Sequence, residues 1–388
     1  MWSAGPKKRQ RLEAMPEEVK TFRDLIVEVH ERGLCGQCGG CVSFCSAGEF
    51  NALTLGSDGT PQFADEDRCL KCGICYLICP QIGVLDNELK SRFAWRAPIG
   101  PMRKLTSAQT TDEATRGVCT DGGVVTSLLV HALDKHIIQA AIVCRRVGPF
   151  KRQVVIATTP DEIIEAAGSH YDESRQLSEA GDRYTTFAPT IREVKNLHRQ
   201  DIRRIALVGT PCQIHTIRKM QLLNVLPADT VTLTIGLFCM ESFSFDEAAR
   251  ESLEATLGVK LADIQKLNVK DDVIITGSDG KTTHVPFYLV DEFARPACFA
   301  CSDFSNEFAD ISCGGLGSPD GYTTVIVRSS VGEKVYNGAY HAKAIKELSF
   351  SAPESQRNHT TEMMAKIVSF SSRKRHRAKE RLGEKYGS

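Results

Sequence analysis

Two cysteine-rich runs near the start of the chain carry its clearest chemistry. Both runs have the spacing C-x2-C-x2-C-x3-C, the first consisting of Cys35, Cys38, Cys41 and Cys45 and the second of Cys69, Cys72, Cys75 and Cys79. Three cysteines at x2 spacing wrap one 4Fe–4S cluster, and the fourth cysteine of each run ligates the other cluster. The sequence therefore predicts one cluster on Cys35, Cys38, Cys41 and Cys79, and a second on Cys69, Cys72, Cys75 and Cys45.

Zinc is the alternative occupant of such cysteines. Zinc sites usually consist of paired C-x2-C knuckles separated by a longer loop, whereas each run here has three consecutive x2-spaced cysteines, and Pro80 completes the second run. The stretch "NALTLGSDGTPQFADEDRC" between the runs predicts two short strands around a glycine-containing turn. Residues 31–95 thus resemble a bacterial-type two-cluster ferredoxin, a module that moves single electrons and defines no substrate.

Five later cysteines occupy predicted strand ends and loops, namely Cys212, Cys239, Cys298, Cys301 and Cys313. Because strand ends and loops gather at one edge of an α/β sheet, these positions are able to converge, and four of the five would make a third 4Fe–4S site. The alternative is a buried thiol that only fills space, since free cysteine often behaves as a small hydrophobe. Among the five cysteines, Cys313 is the one for which this space-filling role is the strongest alternative.

The elements that must position these cysteines alternate between strands and helices after residue 85. "TDGGVVTSLLVHALDKHIIQAAIVCRR" predicts a glycine turn, a helix from Val124 to Asp134 and a strand ending near Cys144. "IRRIALVGTPCQIHTIRKM" predicts a strand and a helix beginning near Cys212, and further strands are predicted in "DTVTLTIGLFCM" and "GYTTVIVRSS". We therefore expect an α/β domain with a central sheet.

Nucleotide-binding motifs give a weaker signal. Neither a Rossmann G-x-G-x-x-G motif with its following acidic residue nor a P-loop is present in a suitable place. Segments 117–123 and 314–321 are rich in glycine and would suit either a phosphate site or a plain turn. No nucleotide cofactor follows from these segments alone.

Composition narrows the class of protein. The 388 residues are 42% hydrophobic and 25% charged, as in a packed globular protein. Lysine plus arginine equals aspartate plus glutamate at 48 each, a balance that argues against nucleic-acid binding. No apolar stretch reaches the roughly 18 to 20 residues of a transmembrane segment, and the start of the chain lacks the apolar core of a secretory signal. We expect a cytoplasmic protein whose fifteen cysteines serve as metal ligands rather than disulfides.

Several longer blocks resemble one known family. The blocks are "TDGGVVTSLL", "LVGTPCQIHTIRK", "GLFCMESFSFDE", "PACFACSDFSNEFADIS" and "GSPDGYTTVIVR", and they resemble the coenzyme F420 hydrogenase/dehydrogenase β-subunit family over roughly residues 105 to 345. The resemblance implies an FAD-binding α/β fold, here preceded by the two-cluster ferredoxin, with a third 4Fe–4S cluster close to the flavin. It implies that this third cluster is held by Cys212, Cys239, Cys298 and Cys301, with Cys313 as a reserve ligand. It also implies FAD contacts at Gly122, Gly123, Val125 and Thr126, with Gly168 and Ser169 near the same pocket.

These inferences divide the chain into five predicted segments. They are an N-terminal extension (1–30), a two-cluster ferredoxin domain (31–95), a flavin-binding region (96–190), a region with the third cluster (191–350) and a basic C-terminal tail (351–388). The tail is expected to be a solvated helix or a surface for an acidic partner or anionic cofactor.

The resemblance implies an oxidoreductase subunit that exchanges hydride with coenzyme F420 at FAD. A flavin beside one cluster, followed by a pair of clusters, would convert two-electron into one-electron transfer to or from a partner redox enzyme. The implied partner is a hydrogenase, a formate dehydrogenase or a heterodisulfide reductase. The alternatives are a stand-alone ferredoxin-dependent flavin reductase of an organic substrate, a subunit using NADH or ferredoxin as donor, and a wiring module without flavin.

F420 is anionic, so a pocket that binds it as the donor is expected to have cationic side chains around its mouth. The candidates are Arg145, Arg146, Lys151, Arg152 and Arg328, all at or near the ends of predicted strands. For any one of them a solvated surface charge is the alternative, so the hypothesis concerns the group.

Overall fold

The structure, a computed structural model, describes residues 19–148, 151–168 and 184–383. The α-helices of these residues are α1 (Phe22–Leu25), α2 (Gly40–Ala47), α3 (Ile74–Leu77), α4 (Asp86–Arg92), α5 (Glu113–Val118), α6 (Val124–Asp134), α7 (Pro160–Glu165), α8 (Val194–Arg199), α9 (Pro211–Leu222), α10 (Glu247–Leu257), α11 (Ser330–His341) and α12 (Pro353–Leu382). The strands are β1 (Leu53–Leu55), β2 (Pro61–Phe63), β3 (Lys104–Thr110), β4 (Ala140–Gly148), β5 (Lys151–Ala157), β6 (Tyr184–Thr185), β7 (Ile205–Gly209), β8 (Val231–Leu237), β9 (Ser244–Phe245), β10 (Ile264–Val269), β11 (Val273–Gly277), β12 (Thr282–Val285), β13 (Ile311–Gly314), β14 (Thr323–Val327) and β15 (Ile345–Glu347). The predicted helix from Val124 to Asp134 and the predicted hairpin between the cysteine runs are both confirmed.

An eight-stranded sheet forms the centre of the protein. Its strand order is β15-β3-β14-β13-β8-β7-β4-β5. The four strands β13, β8, β7 and β4 are parallel to their neighbours within that group, and antiparallel pairs extend the sheet on both sides. Strand β7 is buried along its whole length, as its continuous apolar sequence "IALVG" requires of a parallel strand covered on both faces. The expected α/β class with a central sheet is confirmed.

Helices cover both faces of this sheet. Alternate residues of β7 point to opposite faces: Ala206 packs with helices α6 and α11, whereas Leu207 packs with helices α8 and α9. The large Tyr336 of α11 is fully buried in the same core as Ala206. The sheet is therefore the middle of three layers, with its strand ends left open for a site.

The cysteine-rich module packs against the α9 side of the sheet. Phe22 of α1 lies in one core with residues of the hairpin and of α3, upstream of the boundary predicted at residue 31. Helix α2 begins so close to α9 that a Cβ atom on Gly40 would lie 2.4 Å from the Thr216 methyl group. Ser43 also donates a 2.8 Å hydrogen bond to the carbonyl of Ile191. These contacts hold the two cysteine runs next to the first turns of α9.

The segment predicted as a basic tail forms the 30-residue helix α12. This helix packs against the turn at Pro296–Ala300, and its Phe370 contacts Phe304. The three-stranded sheet β10-β11-β12 forms a further core with α10 nearby. In the part of the chain that the structure describes, no helix combines the length and apolar character needed to cross a membrane.

Candidate functional site

A cavity of about 320 Å³ opens at the carboxyl edge of the parallel strands. Its wall includes the ends of strands β4, β7, β8 and β13 and the first turns of helices α6 and α9. In open α/β sheets ligands bind in the crevice outside the carboxyl ends of the strands. The position and the size of this cavity both suit a cofactor.

Four of the six residues expected to contact FAD belong to this cavity wall: Gly123, Val125, Thr126 and Gly168. Gly122 lies directly behind the wall, where its N–H donates to the Thr323 hydroxyl at 3.0 Å. Ser169 lies outside the described residues. The structure thus brings the expected residues to one place, while FAD contact itself stays a prediction.

Glycine is needed at this cavity for physical reasons. A Cβ atom on Gly122 would lie 2.4 Å from the carbonyl oxygen of Ala108, so only glycine lets the loop pass this close to strand β3. Gly168 has φ +51°, and its Cβ would lie 2.5 Å from the amide nitrogen of Thr120. Gly123, with φ +69°, is the N-cap of α6, whose first turn forms part of the cavity wall.

Of the five cations expected at the pocket mouth, only Arg152 is part of the cavity wall. Arg152 donates to the carbonyl of Lys151 at 3.2 Å, and burial lowers its pKa. The expectation is wrong for Arg328, which is buried and donates to the carbonyls of Ile99, Pro101 and Ser305. Arg328 therefore holds loops together below the sheet edge.

The other three cations also lie away from the cavity wall. Arg146 is buried and donates to the carbonyls of Ile264 and Gln265, so its role in this fold is structural. Arg145 faces Glu165 at 3.7 Å, and the partly buried Lys151 pairs with Gly148 across the two strands. Of the five cations expected to bind an anionic donor as a group, only Arg152 thus lies at the cavity.

A second cavity, of about 30 Å³, is lined by four cysteines that we call site I: Cys212, Cys239, Cys298 and Cys301. Cys212 lies in the first turn of α9, and Cys239 follows strand β8. Cys298 lies within the turn at Pro296–Ala300, and Cys301 directly follows it. Burial raises the pKa of Cys239 to about 12, Lys374 acts in the opposite direction, and Cys298 and Cys301 raise the pKa further. The four thiols are therefore close enough to interact electrostatically.

Cys313, the reserve ligand, is not part of site I. It lies within strand β13, fully buried, on the wall of the large cavity. Burial alone raises its pKa to about 12, with no contribution from any other cysteine. Its place in the middle of the sheet edge separates it from the loops that carry the site I thiols.

The two cysteine runs form two more small cavities. Site II consists of Cys35, Cys38, Cys41 and Cys79, and site III consists of Cys45, Cys69, Cys72 and Cys75. Burial raises the pKa of Cys75 to about 12, and Cys72, Cys69 and Cys45 add to that rise. The fourth cysteine of each run thus stands with the first three of the other run, as the spacing predicts.

The cysteines surround cavities instead of meeting at one point. Within residues 19–148, 151–168 and 184–383, no three His, Cys, Asp or Glu side chains are arranged to hold a single metal ion. A 4Fe–4S cluster occupies the space between four thiolates, and each of the three sites offers four cysteines around such a space. The residues present therefore fit this group.

The four cavities lie in series, because each shares a wall residue with the next. Thr210 belongs to the walls of both the large cavity and site I, and its hydroxyl lies 3.2 Å from the Cys212 sulfur. Gly36 belongs to the walls of both site I and site II. Cys75 belongs to the walls of both site II and site III. The series ends at the surface, where Cys72 is exposed.

Three buried cations accompany the cysteines, and sequence reasoning missed all of them. Arg295 donates to the carbonyl of Gly36 at 2.7 Å, Lys219 donates to the carbonyl of Cys79 at 3.1 Å, and Lys374 donates to the carbonyl of Cys239. Lys219 and Lys374 come from elements distant in sequence from the cysteines they approach, whereas Arg295 directly precedes the turn that carries Cys298. No spacing pattern in the chain pointed to them.

Two sequence models of one family, the beta subunit of coenzyme F420 hydrogenase/dehydrogenase, match the chain. The model for the N-terminal part of that protein matches residues 105–186, and the model for its C terminus matches residues 202–352. These ranges contain most of the wall of the large cavity and the four cysteines of site I, whereas Ala188 and Thr190 of that wall lie between them. Both ranges end before α12.

Individual proteins are similar over greater lengths. One of the subunits of the F(420)H(2) dehydrogenase of Methanosarcina mazei is 30% identical over 328 residues, which cover 80% of this chain and 84% of that protein. The coenzyme F420 hydrogenase subunit beta of Methanothermobacter thermautotrophicus is 30% identical over 263 residues, which cover 64% of this chain and 87% of that protein. Among solved structures, a chain of the F420-reducing NiFe hydrogenase complex of Methanosarcina barkeri matches with a TM-score of 0.58 and 27% identity, covering 71% of this chain and 93% of that chain.

Proposed function

Because the chain belongs to the coenzyme F420 hydrogenase/dehydrogenase β-subunit family and is an oxidoreductase, we propose that it is the F420-linked electron-transfer subunit of a larger redox complex. In this proposal the large cavity holds FAD, and sites I, II and III each hold one 4Fe–4S cluster. FAD, when bound, exchanges a hydride with F420 as an electron pair, and each cluster carries one electron. The names of the relatives support F420 and a multi-subunit setting.

The series of four cavities is the observation that carries this proposal. A converter between paired and single electrons needs its flavin next to a one-electron carrier, and Thr210 forms part of both walls at that junction. The hydroxyl of Thr216, one turn along α9 from Cys212, lies 3.7 Å from the Cys38 sulfur of site II. It also donates to the carbonyl of Cys212 at 2.9 Å. Helix α9 thus fixes the spacing between the large cavity, site I and site II.

The residues around the large cavity suit an anionic dinucleotide. The first turn of α6 lines the cavity, and the first N–H groups of a helix have no partner within the helix, which favours a pyrophosphate. Gly168 and the residues around Thr120 approach each other closely, so the backbone itself forms that part of the wall. Arg152 adds a positive charge, and the apolar side chains of Leu129 and Ile163 offer a surface for a ring system.

The surroundings of the cysteines affect both the protonation of the thiols and the electrostatic cost of adding electrons. Each thiol has to lose its proton to become a ligand, and burial raises the pKa of Cys35 to about 11, so ligation has to supply the energy of deprotonation. Arg295 lies between sites I and II, where its guanidinium also stacks on Phe187 with a separation of 3.9 Å from the ring centroid. A fixed cation there lowers the electrostatic cost of adding electrons to either site.

Site III is the place where a redox partner is expected to meet the chain. Cys72 is exposed, and the neighbouring Leu70 is 65% exposed. Electron-transfer partners have to approach closely, so the exposed cysteine of the last site marks the side of the chain that a partner is expected to reach. The partner implied by the family is a hydrogenase, a formate dehydrogenase or a heterodisulfide reductase.

Anaerobic reconstitution with iron, sulfide and FAD, followed by donor assays, tests the proposal. Reduced F420 is expected to bleach the flavin absorbance and to support reduction of a viologen dye. Reduction by NADH or ferredoxin alone would reject F420 as the donor. Incorporation of clusters without FAD would reject the flavin and leave a wiring module. Turnover of an organic substrate with reduced ferredoxin, and none with F420, would favour a stand-alone reductase.

A further inference from the structure

Helix α12 lies beyond both family-matched ranges, yet it contributes a residue to site I. The match to the C-terminal family model ends at residue 352, and α12 begins at Pro353. Lys374, in the middle of α12, is 1% exposed and forms part of the site I cavity wall. A lysine in this position is unusual, because lysine is almost never fully buried unless it is paired.

The ammonium group of Lys374 is directed at the site I segment. It donates a hydrogen bond to the carbonyl of Cys239. Arg377, three residues further along α12, donates to the carbonyls of Met240 and Cys298 and pairs with Glu241. Cationic side chains thus fasten the C-terminal helix to two of the three ligand segments of site I, the one after β8 and the one at Pro296–Ala300.

The charge of Lys374 has no carboxylate directly paired with it among the described residues. The four site I cysteines line the same small cavity as Lys374. Burying an ammonium group costs several kcal/mol unless nearby negative charge offsets the loss of water. Four thiolates around one cavity would provide that negative charge.

We propose that Lys374 is a positioning residue that sets the reduction potential of the group bound at site I. Reduction adds one electron to that group and forms or breaks no bond at Lys374, so the fixed positive charge favours the reduced, more negative form. Removal of the charge should therefore lower the potential of this one carrier. The inference rests on the proposed function, because it requires a redox group at site I.

Potentiometric titration with dithionite, followed by electron paramagnetic resonance, tests the inference in the reconstituted full chain. The variants are Lys374→Met, which keeps length and removes charge, Lys374→Arg, which keeps charge, and Lys379→Met as a matched control on the exposed face of the same helix. Lys374→Met is expected to shift the reduced-to-oxidised ratio of one carrier at least tenfold toward the oxidised form, which is about 59 mV for one electron. Lys374→Arg and Lys379→Met are expected to shift it much less.

The outcomes separate the inference from the proposed function. A wild-type protein with only two clusters would overturn both. Three clusters in wild type and Lys374→Met, with unchanged potentials, would overturn the inference alone. If Lys374→Met assembles only two clusters, retention of the third by Lys374→Arg would support the requirement for charge. Loss of the third cluster in both variants would show that packing, and not charge, is what the site needs.

Discussion

Arg152 offers a sharp test of the large cavity, because its expected effects on ligand binding and on stability have opposite signs. Its guanidinium belongs to the cavity wall, and the single hydrogen bond found for it in the described part of the chain runs to the carbonyl of Lys151 at 3.2 Å. A guanidinium has five N–H donors, so most of them remain available to a ligand. Arg152→Met removes those donors and the charge while keeping most of the aliphatic stem.

The expected magnitude follows from the loss of one hydrogen bond to a charged group. Such a bond contributes about 1.5 to 3 kcal/mol, and about 1.4 kcal/mol corresponds to a tenfold change in affinity. Arg152→Met should therefore weaken FAD binding roughly 10- to 150-fold. The free energy of unfolding of the protein without FAD should stay the same or rise, because burial penalises the charge that the substitution removes.

Arg146→Met is the matched control on the neighbouring strand. Arg146 is buried and donates to the carbonyls of Ile264 and Gln265, outside the cavity wall. Its loss leaves two carbonyls without their donor, so the free energy of unfolding should fall by about 2 kcal/mol or more while FAD affinity is retained. Fluorescence titration with FAD and urea denaturation of the FAD-free protein measure the two quantities. The reasoning is refuted if Arg152→Met lowers stability and leaves FAD affinity unchanged.

Four further substitutions address the cysteine sites and the core. Cys298→Ala should lower the iron content from about twelve to about eight atoms per chain, whereas Cys313→Ala should leave it at about twelve; iron and labile sulfide analysis distinguishes them. Cys72→Ala should preserve bleaching of the flavin by the donor but slow the reduction of a protein acceptor, and stopped-flow absorbance measures both rates. If the donor no longer bleaches the flavin of this variant, the proposed order of carriers is contradicted. Asp310→Asn leaves Arg218 buried without its 3.0 Å partner and should lower the free energy of unfolding at pH 7 by about 3 kcal/mol or more. Burial alone would raise the pKa of Asp310, but Arg218 and hydroxyl and amide donors lower it. This stabilisation is therefore present above about pH 4 and is lost as pH falls further. Urea denaturation at several pH values should show that the difference in unfolding free energy between wild type and Asp310→Asn shrinks below that pH.

Local spacing was enough to predict the grouping of the first eight cysteines. The x2 and x3 intervals within each run fix which thiols face which cavity, and the fourth cysteine of each run crosses over as expected. The boundaries of α6 followed from its glycine turn and apolar periodicity. Grouping of the site I cysteines depended on family resemblance, since those thiols come from three elements separated in sequence.

Long-range contacts explain what the sequence did not reveal. Arg152 and Arg146 both lie at a strand end, and only the pairing of β4 with β5 and the packing of β10 decide which side chain reaches the cavity. Arg328 follows β14, but its acceptors include Ile99 and Ser305, which lie far away in sequence. Lys374 belongs to a helix whose sequence is polar and basic, which predicts exposure to solvent. Its burial results from the packing of α12 against site I.

The iron and labile sulfide content of the wild-type chain after anaerobic reconstitution tests the central claim most directly. Three sites of four cysteines predict about twelve iron atoms and about twelve sulfides per chain. The twelve cysteines concerned line three separate cavities, so the content should rise to this plateau and stay there under excess iron and sulfide. A clear plateau near eight would contradict the account by removing the cluster beside the large cavity, and with it the path between that cavity and sites II and III.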